Sequence, residues 1–505
     1  MTKQLITGFV LFMMLLLSAP VSNAQSLEAF EERVTEFTLD NGLHFIIIQR
    51  DVAPVASFIT HVNVGSVNEP VGQTGITHIF EHVAFKGTPT IGTTNYEEEK
   101  YLIKQVDEAY KKWHSYSISP NPNEDKLAEL WEAFEEVRDE AQQYVVNNEF
   151  SMIVDREGAV GMNAFVSTDE TAFFYSLPAN KAELWFLLEA DRFINPVMRE
   201  FYEEKDVIWE ERRDRTDNNP IGRMIEEFLS IAFSAHPYKN PPIGWPSDID
   251  AVTMEDTIEF YRTYYVPSNL TIAVAGDVDP DQMRRFAEKY FGPMPAGKPS
   301  PELTVVEPQQ RGERRFVIEE DSQPILAIGY KTVDQMHADY NTINLMNDIL
   351  FSGRTSRLYQ RLVVEEQKAL QIQGFNGFPG SRFPGLHLMF AVPNQGIDVN
   401  DIETVIYEEL ERIKNGDVEQ SELDRVRTRQ RASLIRGLNS NMNLALSFAQ
   451  ANNQTGDWRN IFRNIDDLNE ITLEDIQRVA QTYYEPRNRT VGQIRTREEQ
   501  TASNE

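Results

Sequence analysis

The alternation of apolar and polar positions divides this chain into short strand-like runs and longer helical ones. Val34–Leu39, the turn Asp40-Asn41-Gly42 and Leu43–Ile48 predict a β-hairpin, because Asn-Gly supplies the left-handed residues such a turn needs. Ala56–Val64 predicts a further strand, as do Leu270–Ala275, Arg315–Glu319 and Leu326–Lys331. Apolar positions at helical spacing fill much of the remainder.

One stretch recurs. Thr253-Met-Glu-Asp256 leads to Thr263-Tyr-Tyr-Val-Pro-Ser-Asn-Leu-Thr271, and Thr472-Leu-Glu-Asp475 leads to Thr482-Tyr-Tyr-Glu-Pro-Arg-Asn-Arg-Thr490. The offset is 219 residues without a gap, and nine of nineteen aligned positions are identical, far more than chance register gives. Each copy reads as a capped helix, a proline turn and a strand. Strands and helices alternate irregularly, so the predicted class is α+β: two homologous sandwich domains, each a mixed or antiparallel sheet flanked by helices. The Pro- and Gly-dense stretch Gly292–Pro301 places the boundary. The expected domains are 25–295 and 311–505, joined by a linker at 296–310. Residues 96–150 have no counterpart in the second copy. They read as a solvated helical hairpin broken at Ser119-Pro-Asn-Pro122.

Composition narrows the picture. At 505 residues the chain exceeds one ordinary core, and 41% hydrophobic with 25% charged residues describes a globular protein. A formal charge of −31 makes nucleic acid a poor partner. With no cysteine, thiolate metal sites, disulfides and thiol nucleophiles are excluded. Lys3, the apolar run Leu5–Ala19 and the small residues Ser22 and Ala24 predict a signal peptide over 1–24, hence an exported protein, periplasmic in a Gram-negative source.

Of eight histidines, two stand four apart in Gly75-Ile-Thr-His78-Ile-Phe-Glu81-His82. On a helix both imidazoles lie on one face and can reach one tetrahedral zinc ion. Glu81 shares that face, where its carboxylate can take a proton from water at the metal. His236 reads as structural; His44, His61, His114, His337 and His387 stand alone.

The inverted H-x-x-E-H spacing resembles that of the pitrilysin and insulinase family of zinc peptidases, the inverzincins. The likeness is greatest to its two-domain branch, which includes mitochondrial processing peptidase. Matching segments include Thr38–Gly42, Val64-Gly65-Ser66, Gly75–Thr88, Gly161–Ala164, His236-Pro-Tyr238, Ile243-Gly-Trp245, Gly276-Asp277, Gly353 and Arg357-Leu-Tyr359. The resemblance implies a third zinc ligand on a later helix. Glu211 matches it, with Glu204 as an accessory carboxylate and adjacent Glu210 as the competing choice. It also implies that Asn163, Ala164 and Phe165 form an edge strand that pairs with a peptide substrate.

Two domains make half of the family's clamshell chamber, so a second chain is expected. In the second copy, Asn344, Asn347 and Asp348 stand where His78, Glu81 and His82 stand in the first, so only one zinc per chain is implied. Where the family places an arginine and a tyrosine, this chain has Val363 and Leu370, which offer no side-chain donor. A homologous subunit supplying that pair, in a heterodimer rather than a homodimer, is therefore expected. The reading is an exported zinc endopeptidase acting on peptides or unfolded segments. The alternative is a non-catalytic binding or assembly subunit that keeps its metal.

Overall fold

The chain turns at Asp40–Gly42 with Gly42 alone left-handed, at φ +95°, and the flanking runs pair as β1 (Val34–Thr38) and β2 (His44–Gln49). The computed structural model describes residues 27–497. The predicted leader at 1–24 and the last eight residues lie outside the described ones.

The first half continues with β3 (Val55–Val62), α1 (Ile76–Val83), α2 (Tyr96–Ser117), α3 (Glu124–Gln142), β4 (Val160–Val166), β5 (Thr171–Pro178), α4 (Ala182–Ile194), α5 (Phe201–Arg212), α6 (Pro220–Ala232) and β6 (Leu270–Gly276). The second half contains β7 (Arg314–Glu320), β8 (Ile325–Lys331), α7 (Tyr340–Phe351), β9 (Ala369–Phe378), β10 (Leu386–Pro393), α8 (Asn441–Thr455) and β11 (Arg489–Thr496). Among the described residues, no helix is long and apolar enough to cross a membrane.

The strands form two sheets, ordered β1-β2-β6-β3-β5-β4 and β7-β11-β8-β10-β9. Apart from β1 the two orders superimpose. In each, one parallel pair (β2/β6, β7/β11) is followed by antiparallel neighbours. The repeated Thr-x-x-Asp segments start helices through reciprocal capping boxes at Thr253 and Thr472, and each leads into the equivalent strand, β6 or β11. The class is α+β with two helix-flanked sheets.

Each sheet is also covered by a helix from the other half. Leu444, Ala445, Phe448 and Ala449 of α8 pack with Trp458 and Phe462 on Ile46, Ile48, Ile59, Ala273 and Ala275 of the first sheet. Reciprocally, Met224, Phe228 and Leu229 of α6 pack on Ile325, Ala327, Leu386, Leu388 and Ile494 of the second. Gly329 admits the Phe228 ring, since a Cβ there would lie 2.9 Å from it. The stretch between the halves has no regular secondary structure but is pinned: Glu307 accepts from the backbone amides of Ser234, Ala235 and His236 and pairs with Lys331 at 2.5 Å.

The α2–α3 hairpin is less solvated than its composition suggests. Tyr110, Trp113, Trp131 and Phe134 cluster against α5, with Tyr110 and Tyr202 rings 4.0 Å apart. Lys205 of α5 donates to Tyr110 Oη and to the carbonyls of Asp250 and Val252. The long aromatic and lysine side chains supply an inner face that the polar spacing conceals.

Candidate metal centre

The helix carrying the two histidines is held at both ends of its geometry. Gly75 begins it at φ +89°, with room for no side chain, since a Cβ would sit 2.8 Å from the Ile243 carbonyl oxygen. The buried Glu69 carboxylate accepts from the amides of Gly75 (2.9 Å) and Thr77 (3.0 Å), satisfying donors at the positive end of the helix. Ile79, Phe80 and Val83 are buried, with the Phe80 ring 4.5 Å from Tyr265 and 4.8 Å from Tyr261. That apolar side leaves His78, Glu81 and His82 on the opposite one.

From α5, Glu211 reaches the same point. His78 Nε2 lies 3.7 Å from Glu211 Oε2, and His82 Nε2 lies 3.6 Å from Glu211 Oε1. One ligand atom from each of the three lies within 4.8 Å of the others, so a single zinc ion could be held among them. His78, His82 and Glu211 are the one such group among the described residues. Glu211 Oε2 is buried without a hydrogen-bond partner, which an ion would supply. Glu210 points away, 70% exposed at its side chain and paired with Arg213 at 2.5 Å.

Glu81 Oε2 stands 4.0 Å from His78 Nε2 and 3.8 Å from His82 Nε2, beside the point that His78, His82 and Glu211 enclose. Burial lifts its carboxyl above the usual range, with the Glu211 charge adding to that and His82 opposing it. Glu204 Oε2 is 2.9 Å from His82 Nδ1, and its Oε1 is 2.5 Å from Lys86 Nζ. Accepting Nδ1–H fixes the tautomer whose Nε2 lone pair faces the centre. Burial would raise Glu204, but the bonds from His82 and Lys86 carry it below the ordinary carboxylate range. Burial, reinforced by His82 and Arg215, pushes His78 down to about 3 and keeps it neutral. Burial would also lower His82, but its bond to Glu204 and the charges of Glu81, Glu204 and Glu211 outweigh that and raise it.

Asn163, Ala164 and Phe165 lie on β4, opposite Phe174, Phe173 and Ala172 of β5. β4 is the sheet's edge, with its outer side unpaired to any strand and α1 packed beside it. His236 is buried and accepts from the Tyr238 amide, a structural role. In the second half, Asn344 accepts from Asn376 (3.0 Å) and Asn347 bonds His387 (2.9 Å), so these positions serve internal hydrogen bonds. Val363 lies in the π-helical turn Tyr359–Glu365, and Leu370 is 60% exposed at the start of β9. Glu69, Lys86 and Arg215 were missed in the sequence. One acid, one lysine and one arginine among dozens carry no spacing signal.

Sequence and structure comparisons relate the chain to known proteins. Residues 45–109 match the family model described as insulinase (peptidase family M16), and residues 251–430 match that described as peptidase M16 inactive domain. The chain thus carries domains of the insulinase (M16) family. It is 28% identical over 456 residues to the zinc protease PqqE of Helicobacter pylori, covering 88% of this chain and 89% of that one. It is 23% identical over 459 residues to the probable mitochondrial-processing peptidase subunit beta of Schizosaccharomyces pombe, covering 88% and 87%. The crystal structure of a protease from Helicobacter pylori matches with a TM-score of 0.77 at 27% identity, over 92% of this chain and 99% of that one. The periplasmic protease PqqL of Escherichia coli shares the fold at 18% identity and a TM-score of 0.65; 92% of this chain covers 48% of it. This chain thus has the extent of one half of that longer relative.

Proposed function

We propose that this chain is an exported zinc-dependent endopeptidase that hydrolyses peptides or unfolded segments in a chamber closed by a homologous second chain. The observation that carries the reading is the convergence of His78, His82 and Glu211 with Glu81 beside them. His78, His82 and Glu211 would hold the ion, whose chemistry is Lewis acidity toward water and a scissile carbonyl.

The protein's own groups do the rest. Glu81 takes a proton from the attacking water as the new oxygen–carbon bond forms. The electron pair of the carbonyl moves to its oxygen, then returns as the carbon–nitrogen bond breaks. Glu81 passes its proton to the departing amine nitrogen. Glu204 keeps His82 in register, and the free edge of β4 at Asn163–Phe165 aligns the substrate backbone by strand addition.

Export rests on the N-terminal sequence, and the periplasmic description of PqqL fits it. A second chain is supported by the length match to half of PqqL and by Val363 and Leu370, which leave those two positions without side-chain donors. The inactive-domain match also favours an alternative, a subunit that retains metal but does not cleave.

Glu81→Gln separates the two. Under the peptidase reading it keeps zinc and loses peptide hydrolysis by at least a thousandfold in the purified complex. Hydrolysis that survives the substitution removes Glu81 from the chemistry, and a zinc-loaded wild-type complex that cleaves nothing in a peptide library establishes the subunit alternative.

A further inference from the structure

We propose that Arg215 is a cation of this centre that binds the carbonyl oxygen of the scissile bond as negative charge develops on it. The assignment rests on the peptidase reading above and adds a residue that neither the motif nor the comparisons single out.

Arg215 follows Glu211 by four residues, so the two share a helical face. Its Nη1 stands 3.3 Å from Glu211 Oε2, an ion pair outside hydrogen-bond geometry, and its charge acts on both His78 and Glu81. The nearby arginines are committed elsewhere. Arg212 forms two hydrogen bonds to Glu226 and another to the Gly244 carbonyl, and Arg213 pairs with Glu210. Among the described residues Arg215 pairs with the ligand carboxylate alone, at a distance too long for a strong bond, and two thirds of its side chain (66%) is exposed.

Its backbone, by contrast, is fixed. Arg213–Asp217 widens into a π-helical turn, a local departure that re-aims the residues after α5. Gly222 of α6 closes on that turn so tightly that a Cβ there would lie 2.1 Å from the Arg215 carbonyl oxygen. Thr216 is buried, Arg223 donates to the Asp217 carbonyl, and Arg212 reaches the Asp217 carboxylate at 3.5 Å. A rigid backbone that delivers a solvated guanidinium to the rim of a metal site costs little ordering when an anion arrives.

Charge explains why the pairing with Glu211 can be given up. While Glu211 is an isolated carboxylate, Arg215 is its counter-ion. Once Glu211 serves as a ligand, its charge is shared, the pair weakens, and a planar donor with several N–H groups is released beside the reacting carbonyl. The same arrangement sets Arg215 against metal uptake, because it competes for Glu211 and repels a divalent cation.

The two roles have opposite signs in one variant. In Arg215→Gln, measured on the full chain in its native complex, zinc affinity from chelator competition rises about three- to tenfold. Over the same substitution kcat falls about ten- to a hundredfold with KM changed much less. Arg215→Lys, which keeps the charge but not the fork, recovers part of kcat. A residue that merely braced Glu211 would lose zinc affinity and turnover together. Retention of kcat within twofold, or weakened zinc binding, in Arg215→Gln overturns the assignment while leaving the peptidase reading standing. A wild-type complex that neither binds zinc nor cleaves peptides removes both.

Discussion

Replacing Glu204 with Gln tests how the centre is oriented rather than which groups compose it. The change keeps the side-chain shape but removes the charge that His82 Nδ1 and Lys86 Nζ share, at 2.9 and 2.5 Å. A charge-assisted bond of that length is worth roughly twice a neutral one. Loss of a carboxylate behind a ligating histidine weakens metal binding about 10- to 100-fold, or roughly 1.4–2.7 kcal/mol. Lys86 keeps Glu200 at 3.3 Å, so the site is not left with an unpaired buried ammonium and the fold survives. Competition against a chelator of known affinity, with the apo-protein melting temperature as a control, reads the effect. Glu210→Gln serves as the mock variant, since Glu210 faces solvent. A zinc dissociation constant within twofold of wild type in Glu204→Gln would refute the orienting role.

Three further changes probe the supports of the site. Phe448→Ala removes a fully buried ring stacked 4.5 Å from Trp458 where α8 covers the first sheet, and urea unfolding should show a loss of about 3–5 kcal/mol. Gly244→Ala places a Cβ 2.6 Å from the Thr74 carbonyl at φ +91°, displacing the start of α1; the melting temperature should drop and zinc affinity with it. Glu307 is held down to about 2, because the Lys331 ammonium and the amides of residues 234–236 outweigh the effect of burial. Its stabilisation is complete above its unfolded value, near 4.5, and fades as pH falls toward 2. Glu307→Gln should therefore lose about 2 kcal/mol at pH 7, discounted for solvent screening, with a difference from wild type that shrinks in acid.

Much of this was legible in the chain because it is local. The turn at Asn41-Gly42, the strands and the 219-residue repeat depend on neighbours in sequence, and so does the placing of His78, Glu81 and His82 on one helical face. Glu211 could be reached only through family resemblance, because nothing in 79 acidic residues distinguishes the one that crosses to another helix. Geometry then separates it from Glu210, which the helix turns away by about 100°. The exchange of α6 and α8 between the sheets was invisible. Each is an ordinary amphipathic helix, and nothing in its periodicity says which sheet it will cover. The inner face of the α2–α3 hairpin escaped for a related reason, since its aromatic residues are interleaved with charges that reach solvent.

Elemental analysis of the purified wild type beside His82→Ala and Glu211→Ala tests the centre most directly. One zinc per wild-type chain and less than a tenth of that in either variant is the expected result. Zinc that persists at full occupancy without His82 or Glu211, or a folded wild type that takes up none, would contradict it.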